Sequence, residues 1–244
     1  MVGIIGMENV SFVAQNQTIV RNFSHIFEEG KTTALVGPSG SGKSTVLKLS
    51  AGILVPTKGE VSFRGRDIFS MSRRETLDFR REASMVFQDS ALWANQSLYE
   101  ILELPLKLHF PKMPPSEREN RIQEITDEVG YKRELSIRPS QLSMGEQKLI
   151  GFARAIICRP RLLFLDEWTE SLDDASAQRL VQLVRRHQQE QNTVIFVNHN
   201  FRVVKSLADY IIMILGGQLF LKFSREQIED DEDLARYVER GIAS

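Results

Sequence analysis

The sequence predicts an α/β fold: a parallel or mixed sheet covered by helices on both faces, with a helical segment inserted into it. Three observations carry this. Short β-branched and aromatic runs recur at Thr32–Val36, Val61–Phe63, Ser84–Phe87, Leu162–Leu165 and Thr193–Asn198, nearly all apolar, as strands buried on both faces are. Helix-like stretches separate them, which parallel crossovers require. Between Asp89 and Ser140 the strand runs stop and two proline-marked breaks appear, at Pro105 and across Pro111–Pro115, which reads as an inserted helical subdomain.

Taken in order, residues 1–88 and 141–223 are expected to form the α/β core, 89–140 the helical subdomain, and 224–244 a C-terminal peripheral helix. Within the subdomain, Ser116 and Glu119 read as a capping box for a helix from about Glu117 to Gly130, with Gly130 as its stop. In the tail, Glu226, Glu229, Asp230, Asp231, Glu232 and Asp233 precede Arg236 and Arg240. Acid before base suits a helix dipole, and a solvated helix is expected.

Composition removes several function classes. With 42% hydrophobic and 26% charged residues, the 244-residue chain has the make-up of a packed domain, not a disordered one. Lys+Arg 31 against Asp+Glu 32 leaves a net charge of -1, without the basic excess of a nucleic-acid binder, so no nucleic-acid partner is expected. Cys158 is the single cysteine, which fits a reducing compartment and excludes an internal disulfide. Met1–Asn9 lacks the basic start of a secretory leader, and the longest apolar run, Ile211–Leu215, is far short of the roughly 20 residues of a membrane helix. No direct membrane span is expected, so work at a membrane would need another chain to cross it.

The strongest local signal is Gly37-Pro38-Ser39-Gly40-Ser41-Gly42-Lys43-Ser44, followed by Thr45. It matches G-x-x-x-x-G-K-[ST] after the strand-like TTALV and before the helix-like STVLKLSA, the P-loop context. Its glycines let backbone N–H groups close around phosphate oxygens, Lys43 suits the β- and γ-phosphates, and the Ser44 hydroxyl suits Mg²⁺. Leu162–Leu165 then places Asp166 at a strand tip, where a carboxylate can hold Mg²⁺ or its waters. Glu167, next in line, is the candidate to accept a proton from the attacking water.

Further motifs extend this reading. Leu142–Ile156, LSMGEQKLIGFARAI, resembles LSGGQ-x-QRV-x-x-ARAL without a gap, and Asp166–Asp173, DEWTESLD, resembles DEPTSALD. Gln88 in VFQD and His199 in VNHN match a glutamine and a histidine that accompany those motifs. Over roughly residues 7 to 220 the chain thus resembles the ATP-binding-cassette (ABC) ATPases, which implies a P-loop NTPase core. The resemblance implies ATP and Mg²⁺ as cofactors and a head-to-tail homodimer in which each ATP lies between the P-loop of one copy and the signature of the other. Ser143 and the Gly145 N–H would meet the γ-phosphate, Asp173 would sit at the dimer seam, His199 would hold Glu167 and the water in line, and Gln88 would reach Mg²⁺.

Departures from the family pattern are Met144 and Glu146 in the signature, Trp168 after Glu167, and Asn200 after His199. By the register of ENVSF, the position that holds a base-stacking aromatic is Ala14, which predicts weak base selectivity; Phe12 is expected in the core instead. A lone cassette in this family either powers a separate permease or works as a soluble ATPase. The segment Asp89–His109 resembles the permease-facing part of importers and lipid transporters, and Leu104-Pro105-Leu106 is similar to cassettes of mammalian-cell-entry type lipid transport. The expectation is a transporter subunit peripheral to the cytoplasmic side of the inner membrane, with a soluble ATPase of iron-sulfur cofactor assembly as the alternative. Leu92, Trp93, Leu98 and Tyr99 are candidates for the permease groove, and the pairs Arg73-Arg74 and Arg80-Arg81 are expected on a solvated helix face.

Overall fold

A computed structural model describes residues 3–243. In chain order its elements are β1 Gly3–Ala14, β2 Gln17–Glu28, β3 Thr32–Val36, α1 Lys43–Ser50, β4 Lys58–Phe63, β5 Arg66–Asp67, α2 Arg73–Glu82, β6 Ala83–Val86, α3 Leu98–His109, α4 Pro115–Val129 and α5 Met144–Ile156. There follow β7 Leu162–Asp166, α6 Asp174–Gln189, β8 Thr193–Val197, α7 Phe201–Leu207, β9 Tyr210–Leu215, β10 Gln218–Ser224, α8 Arg225–Asp230 and α9 Glu232–Ala243.

The strands form two sheets where the sequence suggested one. An antiparallel sheet runs β2-β1-β4-β5, and its long β1–β2 hairpin turns at Gln15 and Asn16, both with positive φ (50° and 62°), as a two-residue turn matched to strand twist requires. The second sheet runs β10-β9-β3-β8-β7-β6, parallel throughout except for the antiparallel edge strand β10.

Alternation along the parallel strands explains their apolar runs. Leu162 and Phe164 of β7 and Ile195 and Val197 of β8 join one buried cluster, with Phe23, Phe27, Leu47 and Phe79. Leu163, Leu165, Val194 and Phe196 point the other way, into a cluster with Leu102, Ile125, Phe152 and Val184. Successive side chains leave a strand on opposite faces, so a strand with a core on each side must be apolar at every position.

Four further expectations change. The helix α4 starts at Pro115 with Pro114 as N-cap and no side-chain cap, so Ser116 lies inside its first turn and makes no capping box with Glu119; Gly130 does end it, at φ 81°. Pro105 does not break α3, which continues around it because Ile101, Leu102 and Leu106 are fully buried and outweigh one lost backbone bond. The tail is two helices, divided at Asp231, whose Oδ1 accepts from the Asp233 and Leu234 amides. Nor is it merely solvated: Ile228 and Val238 are buried in the main core. Lastly, Arg80 leaves the expected solvated face to donate to the Ala51 and Gly52 carbonyls at 2.6 and 2.7 Å, its guanidinium 5.0 Å from the Phe79 ring.

Candidate nucleotide site

The site lies at the carboxyl ends of the parallel strands, where an open α/β sheet places its ligands. From the end of β3 the chain turns through Gly37 to Gly42 into α1. Gly37 has φ 144°, and a Cβ there would collide with the Ile214 carbonyl; Gly42 has φ 98°, and a Cβ there would stand 2.9 Å from the Ile19 carbonyl. Both positions therefore need glycine. Lys43 is buried and donates to the Gly37 and Pro38 carbonyls at 2.7 and 2.8 Å, spanning its own loop. Burial lowers its pKa, opposed by the nearby Glu167 and Asp166 charges.

Asp166 ends β7 and is fully buried. Its Oδ1 accepts from Ser44 Oγ at 2.8 Å, while Oδ2 has no hydrogen-bond partner and lies 3.9 Å from Lys48 Nζ. Burial raises this carboxyl's pKa, against the Ser44 bond and the charges of Lys48, Lys148 and Lys43. A buried carboxylate oxygen without a donor, next to a hydroxyl, is a pair of hard oxygens that fits Mg²⁺, an ion that takes few protein ligands and completes its shell with phosphate and water. Among the described residues no cluster of three His, Cys, Asp or Glu offers a ready-made cage.

Glu167 follows in a left-handed backbone conformation, φ 46°, which is uncommon for a residue with a side chain. Its Oε2 accepts from the His199 amide at 3.2 Å, and His199 Nε2 stands 3.0 Å from Oε1 without the alignment of a hydrogen bond. Burial raises the Glu167 pKa, with His199 acting in the opposite direction. Gln88 is exposed, and its Nε2 donates to Glu170 at 3.2 Å; no hydrogen bond joins it to Ser44 or Asp166.

The signature residues stand apart from this cluster. Ser143 caps α5, exchanging bonds with Glu146, and Arg133 lies 3.2 Å from the same carboxylate. Glu146 thus has a local structural reason, and its pKa is held down first by the Ser143 backbone bond. None of the hydrogen bonds of Ser143 reaches the loop of its own chain, and Met144 beside it is 69% exposed. A Cβ on Gly145 would lie 3.2 Å from the Ser171 carbonyl, so the start of α5 abuts the turn leading to Asp173. Asp173 is exposed and caps α6 through the Ser176 amide and hydroxyl. At the hairpin tip Ala14 pairs with Gln17, and no aromatic residue occurs from Val13 to Thr18; Phe12 packs toward the core.

Sequence reasoning passed over Lys148, Lys48 and Glu170. Lys148 is buried and donates to the Glu167 carbonyl at 2.8 Å. A lysine inside the otherwise apolar run KLIGFA was the signal available.

The profile of the ABC transporter family matches residues 20–170, more than half of the chain. The chain belongs to the ABC transporter family, as an ATP-binding cassette. The cassette is 34% identical over 236 residues to the intermembrane phospholipid transport system ATP-binding protein MlaF of Haemophilus influenzae, covering 95% of this chain and 88% of that one. To the nickel import ATP-binding protein NikE of Escherichia coli it is 32% identical over 233 residues, 93% of this chain and 87% of that one. Among solved structures, the dimeric bacterial ABC transporter cassette MJ0796 superposes with a TM-score of 0.84 at 27% identity, covering 91% of this cassette and 99% of that chain. The same TM-score, at 26% identity, relates it to a dimeric post-hydrolysis state bound to ADP and Pi. This cassette is an ATP-hydrolysing subunit of an ABC transporter. No helix among the described residues is long and apolar enough to cross a membrane.

Proposed function

We propose that two copies of this cassette close around ATP and drive a separate membrane permease that moves phospholipid. One observation carries the catalytic half: Glu167, held against His199, directly follows the buried Asp166–Ser44 pair beside the Gly37–Lys43 loop. In this reading the backbone of Gly37, Pro38, Ser39, Gly40, Ser41 and Gly42, with Lys43 and Thr45, holds the phosphates. Ser44 and Asp166 hold Mg²⁺, joined by Gln88 from its place beside Glu170; when bound, that ion draws charge from the phosphate oxygens. Glu167 accepts the proton of the attacking water, and His199 keeps its carboxylate turned to that water.

The exposed start of α5 is suited to a second copy. Helix N-terminal amides attract phosphate; the capping pair takes up the Ser143 and Glu146 amides, which leaves those of Met144 and Gly145 without a partner among the described residues. Offered to the ATP of the partner copy, they would complete its site, with Asp173 at the seam. Closure driven by ATP and reversed by hydrolysis then supplies the motion.

For the permease, the supporting feature is an apolar groove of about 440 Å³ whose lining includes Ile53 and Phe87 and, from the 89–109 region, Trp93, Leu104, Pro105 and Leu108. Trp93, Leu104 and Leu108 are exposed there, a clustering that marks interaction surfaces. Leu98 is in the core, and Leu92 and Tyr99 pack against it, so of the four residues expected at the groove Trp93 alone presents its ring. Phospholipid as cargo is supported by the likeness to MlaF over 95% of this chain; a place on the cytoplasmic face of the inner membrane accompanies it.

Glu167→Gln is expected to retain ATP binding, to lower turnover by about 10² to 10⁴, and to trap a dimer visible by light scattering when ATP is added. Unchanged turnover would remove Glu167 from its role. Isolation from detergent-solubilised membranes should bring down a permease and lipid; recovery solely with soluble assembly proteins would refute the transporter reading.

A further inference from the structure

We propose that Lys148 is a positioning residue for Glu167: its ammonium, reaching from α5, secures the left-handed turn that aims the Glu167 carboxylate. The inference rests on Glu167 being the base proposed above.

Lys148 is 4% exposed, and its Nζ donates to the Glu167 carbonyl at 2.8 Å. That carbonyl belongs to a residue with φ 46°, a conformation that is unfavourable for a residue with a side chain and persists only where its surroundings enforce it. Among the described residues, three backbone contacts enforce it. The Glu167 amide donates to Val197 at 3.1 Å, tying the turn to β8. The Glu167 carbonyl accepts from the Glu170 amide at 3.2 Å, which closes the turn on itself. Only the Lys148 bond brings in α5.

An apolar side chain would satisfy the packing at this position, since Leu149, Ile150 and Phe152 beside it are all buried. Lysine is seldom fully buried unless its charge is used. Burial lowers the ammonium's pKa, and the charges of Glu170, Glu167, Asp166 and Asp89 oppose that, offsetting part of the cost of placing it there. Ser143 and Gly145 open the same helix a single turn before Lys148. A phosphate drawn to that helix start from the other copy would therefore press, through Lys148, on the Glu167 turn of this chain.

Lys148→Met keeps the length and loses the donor, while Lys148→Gln keeps a donor and loses the charge. On the full chain, isolated with the subunits that co-purify, Lys148→Met is expected to lower kcat for ATP on the order of 10²-fold, the effect of a base displaced by about 1 Å. KM for ATP and the thermal midpoint should stay near wild type, and Lys148→Gln should recover most of the rate. Wild-type kcat in Lys148→Met, equal loss in both variants, or a rate that falls only in step with ATP affinity and stability would overturn the inference. If Lys148→Met does not fold, Lys148→Gln decides: kcat above about a tenth of wild type supports a role for the donor, and a folded protein below that overturns it. Glu167→Gln, measured alongside, separates the two readings. Normal turnover there removes the base itself, whereas loss there with wild-type turnover in Lys148→Met removes Lys148 alone.

Discussion

Trp168 occupies the position next to Glu167, where the family pattern has proline, and it is fully buried with its ring edge-on to Phe196 at 5.2 Å. It anchors the turn from the core side, as the Val197 and Lys148 bonds anchor it from the backbone. Trp168→Ala is expected to cost about 3 to 5 kcal/mol, the loss for emptying an aromatic site, as a lower urea midpoint. Its Nε1 has no hydrogen-bond partner, so Trp168→Phe, which removes that unpaired donor, should cost much less than the alanine change. Equal losses in the two variants would mean that a phenyl ring recovers none of the packing of the indole and would overturn this expectation. Glu146 shows the same logic at the surface: an unusual signature residue is accounted for by its bonds to Ser143 and its contact with Arg133.

Among the elements, α6 carries a built-in sensitivity to acid. His187, near its end, has a buried Nε2 with no partner, and burial pushes its pKa down from 6.5 to about 4, with a Thr193 backbone bond opposing. The native state thus refuses a proton that the unfolded chain accepts. Stability present above pH 6.5 is lost as pH falls toward 4 and levels off below, by at most on the order of 3 kcal/mol. His25 on β2, pushed down to about 4 chiefly by burial, acts in the same direction. His187→Gln should therefore flatten, without abolishing, the fall in urea midpoint between neutral pH and the acid end of that window. An unchanged acid limb would contradict the assignment. Proline has opposite meanings in two other elements: α3 runs through Pro105 because Ile101 and Leu106 hold it in the core, whereas α4 begins at Pro115, the first helical position, where the missing N–H has no partner to lose.

On the scale of the whole molecule, the nucleotide site and the apolar groove are joined by α5. Its Lys148 reaches Glu167, while Arg154 bonds the Ser90 and Ala91 carbonyls and lies 5.4 Å from the Trp93 ring. Leu108→Asp, at a 55% exposed position on the groove, should leave stability within about 0.5 kcal/mol and ATP binding unaltered. It should release the cassette from its membrane partner during co-purification. Full retention of the partner would exclude this groove as the docking surface.

The phosphate loop, the Asp166-Glu167 strand tip and four of the five parallel strands, β3, β6, β7 and β8, were legible in the amino-acid order alone. Each is a local pattern: glycines where a Cβ collides, an acid at the end of an apolar run, and strands with no polar face because both faces are covered. Tertiary structure alone decided that the strands divide into two sheets, that the acidic tail seats Ile228 and Val238 in the core, that Arg80 turns inward, and that Lys148 meets Glu167. Those outcomes depend on contacts between residues far apart in the chain, for which helical and strand periodicities carry no record. Local spacing reports how a segment turns, whereas packing determines what it meets.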